Sequence, residues 1–283
     1  MSNEEILASF IESAIKEDVG DGDHSSLACI PSTAVGKVQL IVKEDGILAG
    51  VDIAYLVFKR LDSTITFEKY IEDGTPVKKG DIAFKVEGKV LTLLQSERLV
   101  LNIMQRMSGI ATRTNEYVRL LDGLHTRILD TRKTTPGLRL LEKAAVKIGG
   151  GVNHRIGLYD MVMLKDNHID FAGGIEKAIN MVHSYLTQIG KPEMKIEVEV
   201  RNFKELDEVM RVGGIHRIML DNFDTVQTKK AVQQINGKYE TESSGGITME
   251  TLRSYAECGV DFISVGALTH HIKSLDLSLK AIQ

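Results

Sequence analysis

Apolar residues at Ile6, Phe10, Ile11, Ala14 and Ile15 fall on one face at helical spacing, which predicts a helix over residues 4–16. The chain then turns acidic and glycine-rich from Glu17 to His24. The alternating acids there lack the Glu that closes a calcium loop, so the stretch reads as a loop that caps the next element. Val38, Leu40 and Val42 alternate within residues 35–48 and predict a strand. A short helix follows over 53–61 and a strand over 64–71. Residues 72–90 set short apolar runs between Asp73-Gly74, Lys79-Gly80 and Glu87-Gly88, the pattern of a β-hairpin. Residues 92–121 are helical by composition, with a break expected at Ser108-Gly109. Glu97 and Arg98 lie near the start of that stretch, with Asn102 one turn later on the same face. Residues 1–110 therefore predict an α+β unit.

From about residue 125 the pattern changes. Short β-rich runs at 127–131, 161–165, 195–200, 217–221, 239–244 and 262–265 alternate with helical runs such as 138–148, 174–186, 203–212 and 249–258. Repeated βα units mean a parallel sheet, open or closed into a barrel. In such barrels the chemistry sits at the C-terminal ends of the strands. The residues there are Arg132 with Lys133, then Lys165, Glu199, Asp221, Ser244-Gly245-Gly246 and Gly266, all polar, charged or glycine. The last four points recur at intervals of 22, 23 and 22 residues, which puts them on one rim. An open doubly wound sheet would also bind at strand ends. Its Gly-x-Gly-x-x-Gly turn is absent, and the barrel is preferred.

Composition narrows the function. The 283-residue chain has a net charge of −4, which argues against general binding to nucleic acid or a membrane surface. Its two cysteines have no paired spacing, as expected of a reducing cytoplasm. There is no signal-peptide pattern and no apolar run near the ~18 residues of a membrane span. Against this acidic background, residues 130–168 hold seven Lys and Arg and four acids, a local +3.

That charge points to an anion. Arg132, Lys133, Arg155 and Lys165 fall at or near strand ends with His154 beside them, and clustered cations are sensible when a multiply charged anion fills them. Arg139, Lys143 and Lys147, spaced along one helix, read as solvated surface charge. Ser243-Ser244-Gly245-Gly246-Ile247 follows a strand and opens a helix, the setting of a phosphate cradle. Val265-Gly266-Ala267 is the next loop, and the loops after the last two barrel strands often hold phosphate. Gly149-Gly150-Gly151 is a second cradle candidate or simply a helix terminator. Glu197 and Glu199 alternate on one strand and so face inward, and Asp221 ends the next. These acids could accept from sugar hydroxyls, hold Mg2+ or act as a base. Together the parts describe a phosphorylated sugar with an anionic partner.

At these residues the chain resembles the quinolinate phosphoribosyltransferase family. The matching motifs are Glu97-Arg98 with Asn102, Asp130-Thr131-Arg132-Lys133-Thr134 with Pro136-Gly137, Gly149-Gly150-Gly151 with Asn153-His154-Arg155, Lys165-Asp166-Asn167-His168, Glu197-Val198-Glu199-Val200, Leu220-Asp221-Asn222, Glu242-Ser243-Ser244-Gly245-Gly246 and Val265-Gly266-Ala267. They span nearly the whole chain in the family's order.

The resemblance implies an N-terminal α/β sandwich over 1–110 and an open-faced, incomplete TIM-like α/β barrel over 111–269. It implies a tail, 270–283, that returns to the first domain. It implies a homodimer in which Arg98 reaches the neighbouring subunit's site. Arg132, Arg155 and Lys165 would hold the quinolinate carboxylates beside His154 and Arg98, and Lys133 the diphosphate or substrate. Glu199 and Asp221 would bind the ribose hydroxyls and Mg2+; Ser244, Gly245, Gly246 and Gly266 would bind the 5-phosphate. The implied reaction joins quinolinate to 5-phosphoribosyl 1-diphosphate and yields nicotinate mononucleotide, diphosphate and CO2, a step of NAD biosynthesis.

Rival readings are a paralogue of the molybdenum-transport-associated type or a nicotinate phosphoribosyltransferase, and a Schiff-base lyase using Lys165. A further rival is a binding or carrier protein built on residues 72–90. That segment resembles half of a biotinyl or lipoyl carrier barrel without the Met-Lys-Met hairpin. Three cations at Arg132, Arg155 and Lys165 favour a dicarboxylate over a monocarboxylate.

Overall fold

A computed structural model describes residues 2–282. The first elements are α1 (Asn3–Val19), α2 (His24–Cys29), β1 (Val35–Val42), β2 (Gly46–Ile47), α3 (Val51–Leu61), β3 (Thr66–Lys69), β4 (Pro76–Val77), β5 (Ile82–Lys89) and α4 (Val90–Arg119). Then come β6 (Arg127–Leu129), α5 (Arg139–Ile148), β7 (Val162–Leu164), α6 (Asp166–Ala172), α7 (Ile175–Gln188), β8 (Ile196–Val200), α8 (Phe203–Val212) and β9 (Arg217–Asp221). The chain closes with α9 (Thr225–Ile235), β10 (Glu240–Ser244), α10 (Met249–Ala256), β11 (Phe262–Ser264), α11 (Ala267–His270) and β12 (Leu277–Ile282). Among the described residues no helix is long and apolar enough to cross a membrane.

The chain divides into two compact units. The first comprises the chain up to Asn115, then Thr134–Gly150, and the part from Ala267 onward. Its main sheet is antiparallel in the order β12-β1-β5-β3, so the C-terminal strand pairs with β1. Val38, Leu40 and Val42 of β1 and Phe84 and Val86 of β5 are buried, the half-buried alternation of a sheet with one face covered. Phe58 of α3 meets Phe84 edge to face, with ring centroids 6.3 Å apart. The acidic loop after α1 ends in a cap, since the Asp23 side chain accepts from Ser26 N at 3.1 Å.

Three expectations are corrected in this unit. Residues 72–90 do not form one hairpin, because β4 pairs with β2 while β5 pairs with β1 and β3. The apolar residues of β5 require a central position in the sheet, and that separates it from β4. Ser108-Gly109 does not break a helix, and α4 runs through it. Ser108 Oγ accepts from Ala49 N at 2.9 Å, and a Cβ on Gly109 would collide with the Lys273 carbonyl. The small pair serves close packing. Nor is α5 a solvated helix: Leu141, Glu142, Lys143, Ala145 and Val146 are all buried, and only 1% of Lys143 is exposed. Arg139 donates Nε to Thr134 Oγ1 at 2.9 Å, and of the three cations Lys147 is the exposed one.

The second unit comprises Glu116–Lys133 and Gly151–Gly266. Its sheet has six parallel strands in the order β6-β11-β10-β9-β8-β7. Val152 bridges in parallel to Leu129 on the free side of β6. In chain order Val152 lies between β6 and β7, so the sheet curls round and opens between Val152 and β7. This is the incomplete α/β barrel. Ile196, Val198 and Val200 of β8 pack with Leu206, Val209, Ile218 and Leu220 in the layer under the helices. All five residues of β8 are buried, so Glu197 and Glu199, which alternate with those apolar residues, face the barrel interior. The helices α6 and α9 add to those expected from the helical runs.

Candidate active site

Parallel strands place the candidate residues on one edge of the sheet. Arg132 and Lys133 follow β6; His154 and Arg155 follow Val152; Lys165 follows β7; Asp221 and Ser244 end β9 and β10; Gly266 follows β11. Leu164 is paired with Val198, so Lys165 stands level with Glu199. Their side chains meet, with Nζ 2.8 Å from Oε2. Asp221 is in register with Ser244. Arg98 belongs to the first unit, where it is exposed on α4.

Acids brace the cationic loops, Asp130 from beneath and Asp160 from an exposed position. The wholly buried Asp130 accepts from Asn153 Nδ2 at 2.5 Å and from His154 N at 2.8 Å. Asp160 accepts from Ile156 N at 2.7 Å and Gly157 N at 2.8 Å. Arg155 donates Nη1 to the Met161 carbonyl at 3.2 Å. Burial presses the Arg155 guanidinium below its ordinary range, and the charge of Arg132 adds to the effect. Two guanidiniums close enough to repel form a setting that would suit an anion.

The glycine turns follow β11 and β10, the strands next to β6 in the sheet. Gly245 and Gly246 have φ of 100° and 62°, and a Cβ on Gly245 would collide with the Asn222 side chain. Asn222 itself has φ 56° and donates its backbone N–H to the Ser244 carbonyl at 2.9 Å. The turn leads to Thr248, the N-cap of α10. Since β10 and β11 are neighbours, Gly245, Gly246 and Gly266 follow adjacent strands. Gly149, by contrast, is the C-cap of α5, and a Cβ there would strike the Ala111 carbonyl. It terminates a helix and packs against α4.

His154 occupies a different environment from its neighbours. Its Nε2 lies 2.9 Å from Glu197 Oε2 and 3.4 Å from Glu242 Oε2. Its Nδ1 accepts from Arg155 N at 2.7 Å. Both ring nitrogens therefore face protein groups. Burial disfavours a charged imidazole, yet the bonds to Glu197 and Glu242 outweigh it and raise the ring to about 9. Burial and the Glu242 charge push Glu197 up to about 7. Nδ1 thus serves as an acceptor for the Arg155 N–H, and Nε2 lies on the carboxylate side of the ring.

The ligand atoms of His154, Glu197 and Glu242 lie within 4.8 Å of one another. A metal ion does not fit there, because Arg217 Nη1 already stands 3.0 Å from Glu242 Oε2 and balances its charge. Glu242 and Arg217 escaped the sequence reading as functional candidates. Only a period-two count along β9 and β10 would have turned them inward.

Comparison with known proteins decides the family. The description "Quinolinate phosphoribosyl transferase, C-terminal domain" matches residues 110–280, and its N-terminal counterpart matches residues 23–108. The chain belongs to the quinolinate phosphoribosyltransferase family. It is 47% identical over 290 residues to the quinolinate phosphoribosyltransferase [decarboxylating] 1b of Nicotiana tabacum, covering 97% of this chain and 82% of that one. The crystal structure of NadC from Streptococcus pyogenes superposes with a TM-score of 0.92 at 38% identity, covering 100% of this chain and 99% of that one. The nicotinate-nucleotide pyrophosphorylase of Francisella tularensis gives 0.91 at 38% identity, with 100% and 98% covered.

Proposed function

We propose that this member of the family transfers the phosphoribosyl group of 5-phosphoribosyl 1-diphosphate to quinolinate with decarboxylation. The products are nicotinate mononucleotide, diphosphate and CO2. The observation that carries this reading is the division of one sheet edge by charge. Cations follow β6, Val152 and β7, acids stand on β8 and β9, and glycine turns follow β10 and β11. In sheet order the cations after Val152, β6 and β7 flank the opening of the barrel and suit a dicarboxylate, the glycine turns after β11 and β10 suit a phosphate, and the acids on β9 and β8 suit a ribose.

In this reading Arg132, Arg155 and Lys165 bind the two carboxylates and orient the pyridine ring. The ring nitrogen carries its own lone pair, so no general base is needed. It attacks the anomeric carbon as the bond to diphosphate breaks. Positive charge grows on the ribosyl centre and is stabilised by Glu199 and Asp221, while Lys133 steadies the departing diphosphate. The alkylated nitrogen is cationic, so loss of the 2-carboxylate as CO2 leaves an ylide that then takes up a proton. Lys165 is paired with Glu199, Nζ to Oε2 at 2.8 Å, which suits carboxylate binding better than Schiff-base chemistry.

Glu199 and Asp221 also fit Mg2+. They are hard oxygen donors near the ends of adjacent strands, and Mg2+ commonly takes one or two carboxylates together with substrate phosphates. The ion would supply neutralisation of the diphosphate charge. We place the enzyme in the cytoplasm, where Cys29 and Cys258 would stay as free thiols. We read the working form as a homodimer in which the exposed Arg98 completes the neighbouring chain's site.

The test is direct. Purified protein is mixed with quinolinate, 5-phosphoribosyl 1-diphosphate and Mg2+, with nicotinate as the alternative acceptor. Nicotinate mononucleotide and CO2 formed from quinolinate support the reading. Absence of both products, or turnover with nicotinate alone, rejects it.

A further inference from the structure

Beneath the rim of the second unit lies a charged cluster that no step above uses. Glu197 and Glu242 have no exposed side-chain surface, and His154 has 5%. Arg217 reaches across β10, with Nη1 3.0 Å from Glu242 Oε2 and Nη2 3.0 Å from Glu240 Oε2. Its guanidinium covers the Phe262 ring, with Cζ 4.2 Å from the centroid. Burying such groups is costly, and apolar side chains of the same volume often serve stability as well or better. The cluster therefore calls for an explanation beyond packing.

The contacts of the His154 ring provide one. Its Nε2 edge faces Glu197 Oε2 from β8 at 2.9 Å and Glu242 Oε2 from β10 at 3.4 Å, and Arg217 from β9 holds Glu242 in turn. That leaves Nδ1 directed at Arg155 N, 2.7 Å away. Arg155 is thus fixed at its backbone by the ring and at its guanidinium by the Met161 carbonyl, 3.2 Å from Nη1. Asp130 fixes the preceding residue through His154 N. Rotation of the ring would free the Arg155 backbone, and with it the direction of a guanidinium already pressed by Arg132.

We infer that Glu197, Glu242 and Arg217 are positioning residues for the dicarboxylate end of the site, acting through the His154 ring on Arg155 without touching substrate. The inference rests on the role proposed for Arg155 as a carboxylate ligand. It separates these residues from Glu199, two positions along the same strand, which faces the mouth and Lys165.

The test compares Glu242→Gln, Glu197→Gln and the double variant Arg217→Met/Glu242→Leu with wild type and Arg155→Ala. The double variant removes the ion pair without stranding a charge, so it remains informative if a single variant fails to fold. Initial rates give KM for each substrate, and calorimetry gives quinolinate affinity. Displacing a binding group by about 1 Å can cost roughly 100-fold, so the cluster variants should lose about 10- to 100-fold in quinolinate affinity. KM for 5-phosphoribosyl 1-diphosphate should stay within about 3-fold, the side of the site that Arg155 does not serve. Equal losses for both substrates, or unchanged quinolinate affinity in the folded double variant, would overturn the inference. If wild type does not use quinolinate, or Arg155→Ala binds it normally, the functional reading fails instead.

Discussion

Lys165 Nζ lies 2.8 Å from Glu199 Oε2, joining the end of β7 to the inner face of β8. In the proposed reading the pair sets a carboxylate-binding cation beside an acid that would face the ribosyl centre. Only 9% of the Glu199 side chain is exposed, against 44% for Lys165, so Lys165 is the one that can turn towards a ligand. Lys165→Ala should raise KM for quinolinate about 10- to 100-fold, the range of a lost charge-assisted hydrogen bond of about 1.5–3 kcal/mol. Glu199→Gln should lower kcat with a much smaller change in that KM. Steady-state kinetics with each substrate varied in turn separates the two. A fall in kcat alone for Lys165→Ala would count against its binding role.

Gly245→Ala tests the phosphate turn. The residue has φ 100°, and a new Cβ would meet the Asn222 side chain. Strain of about 1–3 kcal/mol should appear as a roughly 5- to 100-fold rise in KM for 5-phosphoribosyl 1-diphosphate. Asn222→Gly removes the colliding side chain and suits the positive φ of that position. The double variant should recover part of the loss. No recovery would show that the backbone angle, rather than the collision, carries the effect.

A shared site predicts complementation. Arg98→Ala and Lys133→Ala should each be nearly inactive alone. Mixed and allowed to exchange subunits, they should regain up to about a quarter of wild-type activity, since random mixing gives half mixed dimers with one intact site each. Activity that stays at the level of the separate variants would place Arg98 within its own chain's chemistry or outside the chemistry altogether.

The first unit offers a pH test. Asp73 Oδ1 accepts from Val51 N at 2.9 Å at the start of α3. Burial nevertheless raises its carboxyl above the ordinary 3.8. Above the raised value the folded protein carries a buried charge that the unfolded chain does not bury; below 3.8 the group is neutral in both states. Asp73→Asn keeps an acceptor for Val51 and removes the charge. Its thermal midpoint should match or exceed wild type at pH 7, and the advantage should shrink as pH falls towards 4. A variant markedly less stable at pH 7 would mean that the charge itself is needed at the helix start.

Much of the candidate edge could be read from the chain because a parallel strand delivers its C-terminal residue to a known place. Lys165, Asp221, Ser244 and Gly266 needed only the βα alternation to be set on one edge. Arg132, His154 and Arg155 came from local charge and the family motif. Glu242 and Arg217 were not legible in that way, since their meaning depends on partners on neighbouring strands. His154 shows the same limit from the other side: beside Arg155 in sequence, it stands with both ring nitrogens turned to protein groups. Ser108-Gly109 looked like a break because small residues weaken a helix in isolation; α4 runs on because Ala49 and Lys273 pack against that spot. Lys143 looked solvated until α5 was seen to be buried over more of its surface than one stripe.

By itself the sequence determined the strand and helix periods, the charge division along residues 130–266, and the family. Periodicity, turn chemistry and charge are local properties, carried by residues a few positions apart. The tertiary structure decided which polar residues stand at the mouth and which are buried against one another beneath it. It set Glu199 against Lys165 at the mouth and Glu197 against His154 below it, though the two glutamates are two residues apart on one strand. That division arises from depth in the barrel, and depth is set by the register of β7, β8, β9 and β10 rather than by any one strand.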